Sequence, residues 1–213
     1  MKKVTIILIA FSFLYCEAQT PVIDRYDNTN YREIPNAYYK DINNFQNLFV
    51  GTWLYVNGTT SLKVKFRKRE MIYSMNGNIP DYEDWLVGEY QYIENGVEKV
   101  NTLANLTTNY ASMSQHKLFS ITKIGLDFYP KCDECPAGTE RMLMNFDEPA
   151  NDDIGLRAHF AMRRVVENGV EKIKVQFVKI SAAIDANKLD YNAPSTFRNF
   201  TLPYGNYTLI KQP

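Results

Sequence analysis

The stretch "GTWLYVNGTTSLKVKFRKRE", residues 51–70, constrains the fold more than any other part of the chain. Apolar and polar residues alternate on both sides of Asn57–Gly58, and a period of two marks a strand with one buried face. Asn-Gly is the strongest short hairpin signal, because both central residues of a type I′ turn need positive φ. A two-residue loop at Asn57–Gly58 pairs Val56 with Thr59, Trp53 with Leu62 and Gly51 with Val64. Trp53 and Tyr55 then share a face with Leu62, Val64 and Phe66, while Lys63, Lys65 and Arg67 point the other way. Turn and pattern agree, as they must where a hairpin specifies one register.

Asn-Gly recurs at Asn76–Gly77, Asn95–Gly96 and Asn168–Gly169. The last two sit in identical hexapeptides, "ENGVEK" at Glu94–Lys99 and Glu167–Lys172. The flanks differ ("GEYQYI" before one, "AMRRVV" before the other), and aligning the halves matches neither the tryptophans nor the cysteines. The repeat is a turn recipe rather than a duplicated unit. Further strand-like runs are "LVGEYQYI", "KVNTL", "KLFSITKIGLDFY", "RMLMNF", "GLRAHFAMRRVV", "KIKVQFVKI" and "GNYTLIK". With the first hairpin they give about eight or nine strands, many joined by short turns. Antiparallel up-and-down order follows, and such a sheet closes into a barrel with no exposed edge. Ahead of it, Tyr38, Ile42, Phe45 and Phe49 fall at helical spacing behind Pro35, which predicts one short amphipathic helix. The expected organisation is a mainly β, single-barrel domain over 36–213, preceded by a flexible polar arm over 19–35.

Residues 1–18 read as an address. Lys2 and Lys3 form a positive n-region, Val4–Tyr15 is apolar, and Cys16 and Ala18 supply the −3 and −1 positions of a cleavage site before Gln19. The expected localisation is secreted or periplasmic. Acylation of Cys16 as a lipoprotein fits less well, because Leu14 and Tyr15 precede it where small residues are needed. Basic and acidic residues number 24 each, and removing Lys2, Lys3 and Glu17 leaves a net charge of about −1. That balance provides no global field to gather nucleic acid or anionic lipid. No later stretch is long and apolar enough to span a bilayer. Cys132 and Cys135, in "YPKCDECPAG", are the only cysteines after the signal, and in an oxidising compartment they pair as a disulfide. The same C-x-x-C is half a zinc site, but His116 and His159, the only histidines, lie far apart in the chain. A redox role wants a helix start, and Pro136, Ala137 and Gly138 make a loop.

At "FVGTWLY" the chain resembles the lipocalin and avidin group of barrels, in which Gly-x-Trp opens the first strand. The resemblance implies that Trp53 sits inside at the closed end under a basic side chain from a late strand, with Arg164 and Lys211 as candidates. The chain as a whole resembles a secreted Bacteroidota (flavobacterial) family of unknown function. That family pairs a signal ending in Ala-Gln with a Gly-Thr-Trp start and a "PYGNYTLIK"-like last strand, here Pro203–Lys211. The chain departs from lipocalins in lacking an obvious interstrand disulfide and in carrying a long segment before the last strand.

Catalytic motifs are missing: no Gly-x-Ser-x-Gly, no phosphate loop and no His–Glu pair on a helix. No catalytic residue, cofactor or metal is expected, and His159, which alternates against Phe160, is placed on the surface or rim. A paired-carboxylate hydrolase remains a remote alternative, since such pairs need no adjacency in sequence. Asp147, Glu148, Asp152 and Asp153 match no calcium loop and read as a solvated acidic turn. The basic run Lys63–Arg69 reads as a solvated face or as a docking patch. Aromatic content is the remaining clue, with 15 Tyr, 12 Phe and 2 Trp. A barrel of about eight strands either fills with side chains or holds one small ligand. Aromatics with polar handles suit a pocket for a hydrophobic or aromatic ligand. Trp53, Tyr55, Tyr90 and Tyr92 are the candidate ligand-binding residues, and Trp85 replaces the two later tyrosines if the phase of Leu86–Ile93 reverses. The leading expectation is non-enzymatic binding of a small hydrophobic ligand inside the barrel. The alternative is an envelope-associated or extracellular protein-interaction module with a filled barrel and a working outer face.

Overall fold

The computed structural model describes residues 20–26, 31–149, 156–181 and 199–213, so the signal segment and Asp152 and Asp153 lie outside the described residues. Within them one sheet of eleven strands forms: β1 Val22–Asp24, β2 Tyr38–Lys40, β3 Gly51–Asn57, β4 Thr60–Asn76, β5 Ile79–Glu94, β6 Val97–Asn101, β7 Leu118–Ile124, β8 Arg141–Phe146, β9 Arg157–Glu167, β10 Val170–Ser181 and β11 Gly205–Gln212. Eight of them close an antiparallel up-and-down barrel, from β3 through β4, β5, β7, β8, β9, β10 and β11 back to β3. The other three are additions: β6 lies on β5, and β1 and β2 extend the sheet by parallel pairing onto β5. Among the described residues no helix is long and apolar enough to cross a membrane.

Alternation sets the interior. Trp53, Leu62, Val64, Phe66, Leu86, Tyr90 and Tyr92 from β3–β5 meet Met142, Met144, Phe160, Met162, Ile173, Val175, Phe177 and Leu209 from β8–β11 in one buried cluster. Gly88 is a requirement of that packing, since a Cβ there would lie 2.6 Å from the ring of Phe66.

The turns explain one departure from the sequence reading. At Asn95–Gly96 and Asn168–Gly169 both residues have positive φ, as type I′ turns demand, so both "ENGVEK" copies are the same turn. At the first hairpin Asn57 still pairs with Thr60, and Gly58 alone has positive φ, the pattern of a type II′ turn. The loop is therefore Gly58–Thr59, and Trp53 faces Val64 rather than Leu62. A shift of two residues leaves every side chain on its expected face.

Two further departures concern the N-terminal part. The predicted amphipathic helix is absent: Tyr38–Lys40 is strand β2, and only a 3-10 turn, Phe45–Leu48, follows. Asp41 forms that turn by accepting the amides of Phe45 and Gln46 at 2.8 and 2.9 Å, after Asn44 has taken positive φ. Parallel pairing with β5 outweighs the helical spacing of Tyr38, Phe45 and Phe49. The segment read as a flexible arm contributes β1 and the buried Arg25, and its Tyr26 ring packs edge-on against Phe45 at 5.7 Å.

The β4–β5 hairpin outgrows the barrel. β3 covers β4 only as far as Phe66, so from Arg67 to Asn76 the strand has β5 as its only strand partner among the described residues. A bulge between Arg69 and Ile72, with Met71 at φ 52, separates the barrel half from the protruding half.

Candidate functional site

The inner wall comes first. Trp53 and Tyr90 both face Val64, and Tyr55 and Tyr92 both face Leu62, so the four candidate residues share two adjacent rungs. The phase that puts Tyr90 and Tyr92 inside is the observed one, and Trp85 faces out. Trp53 is fully buried, and its indole N–H donates to the Phe49 carbonyl at 2.7 Å. The Lys211 ammonium stands 5.6 Å from the Trp53 ring centroid. Lys211 is thus the basic partner, and Arg164 joins it through Glu171, which takes Lys211 at 2.9 Å and Arg164 at 3.2 Å. At the other end Tyr55 meets Tyr207 edge-on at 5.1 Å, and Tyr90 meets Phe146 at 4.9 Å. Phe146 in turn touches Phe177 and Phe200. Burial, followed by the negative charge of Glu148, pushes the Tyr90 hydroxyl far above the usual tyrosine range. Glu148 itself is buried and accepts the Thr201 amide at 2.8 Å, which corrects its placement in a solvated acidic turn.

The outer wall of β5 holds what the sequence reading missed. Asp81, Glu83, Trp85, Val87 and Glu89 alternate onto the outside, yet Asp81, Glu83 and Glu89 are fully buried. The arm covers the lower part: Arg25 and Arg32 both pair with Glu83, and the Tyr31 hydroxyl donates to it at 2.7 Å. The Arg25 and Arg32 guanidiniums lie 4.7 and 5.5 Å from the Trp85 ring centroid. Burial, then the neighbouring Glu83 charge, raises Asp81 above the usual carboxylate range. Higher up, His116 Nδ1 sits 2.9 Å from Glu89, with the Tyr110 ring edge-on to the imidazole at 4.8 Å. On the inner side of the hairpin Lys68 lies between Asp41 and Asp84 at 3.4 and 3.5 Å, so one end of the basic run is internal. Asp84 also accepts the Tyr38 hydroxyl at 2.6 Å and the amides of Asp41 and Met71 at 3.1 Å. Glu83, Glu89, Asp41 and Asp84 serve as acceptors inside these ionic clusters, while Asp81 has only the Arg32 ion pair at 3.9 Å among the described residues.

Three cavities are prominent, of about 510, 350 and 140 Å³, and none of them is lined by Trp53, Tyr55, Tyr90 or Tyr92. The largest is a groove on the outer wall. Trp85, Phe119 and Met113 form its barrel side, Ile72, Tyr73 and Met75 its hairpin side, and Arg32 supplies a charge. Cys132 and Cys135 are joined as a disulfide. Their sulfurs and the Glu134 carboxylate lie within 4.8 Å of one another, but a disulfide supplies no thiolate to a metal.

Glu83 lies 58 residues from Arg25, and no local pattern connects them. The one available signal was "DYEDW", whose acids alternate at the spacing of a strand.

The chain belongs to a family of unknown function, DUF6705, which it matches over residues 1–212. No curated protein and no solved structure matches it.

Proposed function

We propose that the mature chain is a secreted, non-enzymatic binding module whose filled barrel supports a docking edge for an extended polypeptide. The observation that carries this reading is the open half of β4. The Asn36 amide donates to the Pro80 carbonyl at 2.7 Å, and the Tyr82 amide to the Ala37 carbonyl at 2.8 Å. Pro80 and Tyr82 therefore turn their main chains away from β4, and their partners Met75 and Tyr73 turn theirs away from β5, toward the open side. Met71, Tyr73 and Met75 are 49, 52 and 56% exposed. Proteins usually blunt such an edge with charge or proline, and "MIYSMN" has neither. An added strand would take main-chain hydrogen bonds from Tyr73 and Met75 and lay side chains in the groove beside Trp85, the pattern of strand addition.

Secretion rests on the charge and hydropathy of residues 2–18, and the disulfide suits an oxidising compartment. A small ligand among Trp53, Tyr55, Tyr90 and Tyr92 is the competing reading, and the packing of Trp53 and Tyr90 with no exposed surface weighs against it. Panning a library of unstructured peptides against the mature protein decides between them. Enriched peptides should slow hydrogen exchange at the Tyr73 and Met75 amides and lose binding to Tyr73→Pro, a substitution an unpaired edge position tolerates. Binding that survives Tyr73→Pro, or a saturable Trp53 fluorescence shift with hydrophobic small molecules, would sink the docking-edge reading.

A further inference from the structure

We infer that the opposite wall of the barrel carries a second site, for a small oxoanion of the phosphate or sulfate type. It is independent of the β4 edge. On the outer face of β9–β11, Arg163 faces Lys174, and Lys174 faces Thr208. Arg141 on β8 lies next to Met142, the partner of Met162, and so extends the same rung beyond Arg163. Three cations stand in a row across three strands, although like charges opposite one another destabilise a sheet.

Their compensation is incomplete. Lys174 has Glu167 at 2.6 Å, whereas among the described residues Arg163 reaches only the exposed Glu134, at 3.7 Å. Arg141 donates to neutral acceptors: the carbonyls of Pro130, Gly125 and Phe128 at 2.5, 2.6 and 3.0 Å, and the Gln176 amide oxygen at 2.7 Å. Residues Arg141 and Arg163 are only 1 and 8% exposed. Two enclosed guanidiniums thus share one solvated carboxylate. Burial lowers the hold of Arg141 on its proton; the Glu134 charge offsets part of that, and the nearby Arg163 charge adds to it.

In front of the row is a cavity of about 140 Å³. It exceeds the roughly 30 Å³ share of one water several-fold. Ala161 of β9, Asn206 and Thr208 of β11, and Cys132 and the Glu134 carboxylate of the disulfide loop also line it, so that β11 offers an amide and a hydroxyl. The disulfide loop thereby acquires a role, as the rim of an anion pocket. Arginine and lysine aimed at one small space are the usual means of holding an oxoanion. The anion could be a free ion or the charged end of a larger ester.

The test titrates the mature protein with sodium phosphate and sodium sulfate by calorimetry, against sodium chloride at equal ionic strength. Saturable binding is expected, with amide shifts in NMR at Ala161, Gln176 and Thr208. Arg163→Gln and Lys174→Gln should each weaken it at least tenfold, while the unfolding midpoint without the anion is unchanged or higher because repulsion has been removed. Phenyl phosphate binding more tightly than inorganic phosphate identifies an ester end group, and equal or weaker binding identifies the free ion. No binding beyond chloride, or equal affinity in both variants, would overturn the site.

Discussion

Arg25→Met should cost about 3 kcal/mol of stability, the lower end of the roughly 3–5 kcal/mol lost when one partner of a buried ion pair is removed. The guanidinium of Arg25 is enclosed, pairs with Glu83, covers Trp85 and reaches the Ser120 and Ile121 carbonyls, both at 3.4 Å. Those carbonyls belong to β7, and the pairing that closes the barrel there is only Val87 with Phe119 and Gly88 with Leu118. Arg25 therefore bridges the seam where β5 and β7 diverge. The loss is held to the lower end because Glu83 keeps Arg32 and the Tyr31 hydroxyl. Methionine also keeps most of the apolar contact of the arginine stem. With an m-value of about 2 kcal/mol/M, the urea midpoint should fall by about 1.5 M. Hydrogen exchange should rise first in β1, β2 and the start of β7. The double variant Arg25→Met/Glu83→Gln should lose less than the sum of the singles, because both remove one shared pair. A loss below about 1 kcal/mol with unchanged exchange at β7, against the 3–5 kcal/mol expected of a broken buried pair, would refute the claim that this guanidinium closes the seam.

Gly88→Ala should destabilise by about 1–3 kcal/mol, the cost of overpacking, because the new methyl meets the Phe66 ring, and Phe66→Leu in the same chain should recover part of it by chemical denaturation. Burial pushes Tyr26 and Tyr207 up to about 12, so above the ordinary tyrosine pKa the unfolded chain releases protons that the folded chain retains. Stability should therefore be level below pH about 10 and fall as pH rises beyond it. Tyrosinate absorbance at 295 nm should rise in step with loss of the near-ultraviolet circular dichroism signal, and full ionisation in a still-folded protein would contradict the assignment.

The barrel was legible because its signals are local. Alternation and the adjoining turn place Trp53 inside, and Asn95–Gly96 and Asn168–Gly169 state their turns outright, whereas the phase of Leu86–Ile93, and with it Tyr90 and Tyr92, is settled only by pairing with β4. Register at the first hairpin was less secure, since a loop at Asn57–Gly58 and one at Gly58–Thr59 satisfy the same alternation. The helix expected around Phe45 failed because a spacing of four and three residues is shared by a strand followed by a tight turn. Outer-wall features were hidden for a different reason. Asp81 and Glu83 look like surface acids, and only the arm makes them interior. The cation row needs the registers of β8, β9, β10 and β11 together, each set by a different turn, before Arg141, Arg163 and Lys174 fall on one line.

The two outer walls differ in how they settle their charge, and that difference separates framework from site. Burying ionised groups is costly unless they are paired, so each wall needs a covering segment and a partner for each charge. On β5 each acid has a partner inside the cluster: Arg25 and Arg32 stand against Asp81 and Glu83, Glu89 meets His116, and on the inner side Lys68 lies between Asp41 and Asp84. The cluster fixes how the arm and the hairpin sit on the barrel. Across the barrel, beneath the disulfide loop, Arg141, Arg163 and Lys174 meet Glu134 and Glu167, and among the described residues the only acid near the two enclosed guanidiniums is mostly exposed. A framework has no use for an unbalanced buried row, because hydrophobic residues at the same positions would pack at lower cost. An anion that arrives from solvent supplies the missing charge, and its binding energy is what the row stands to gain.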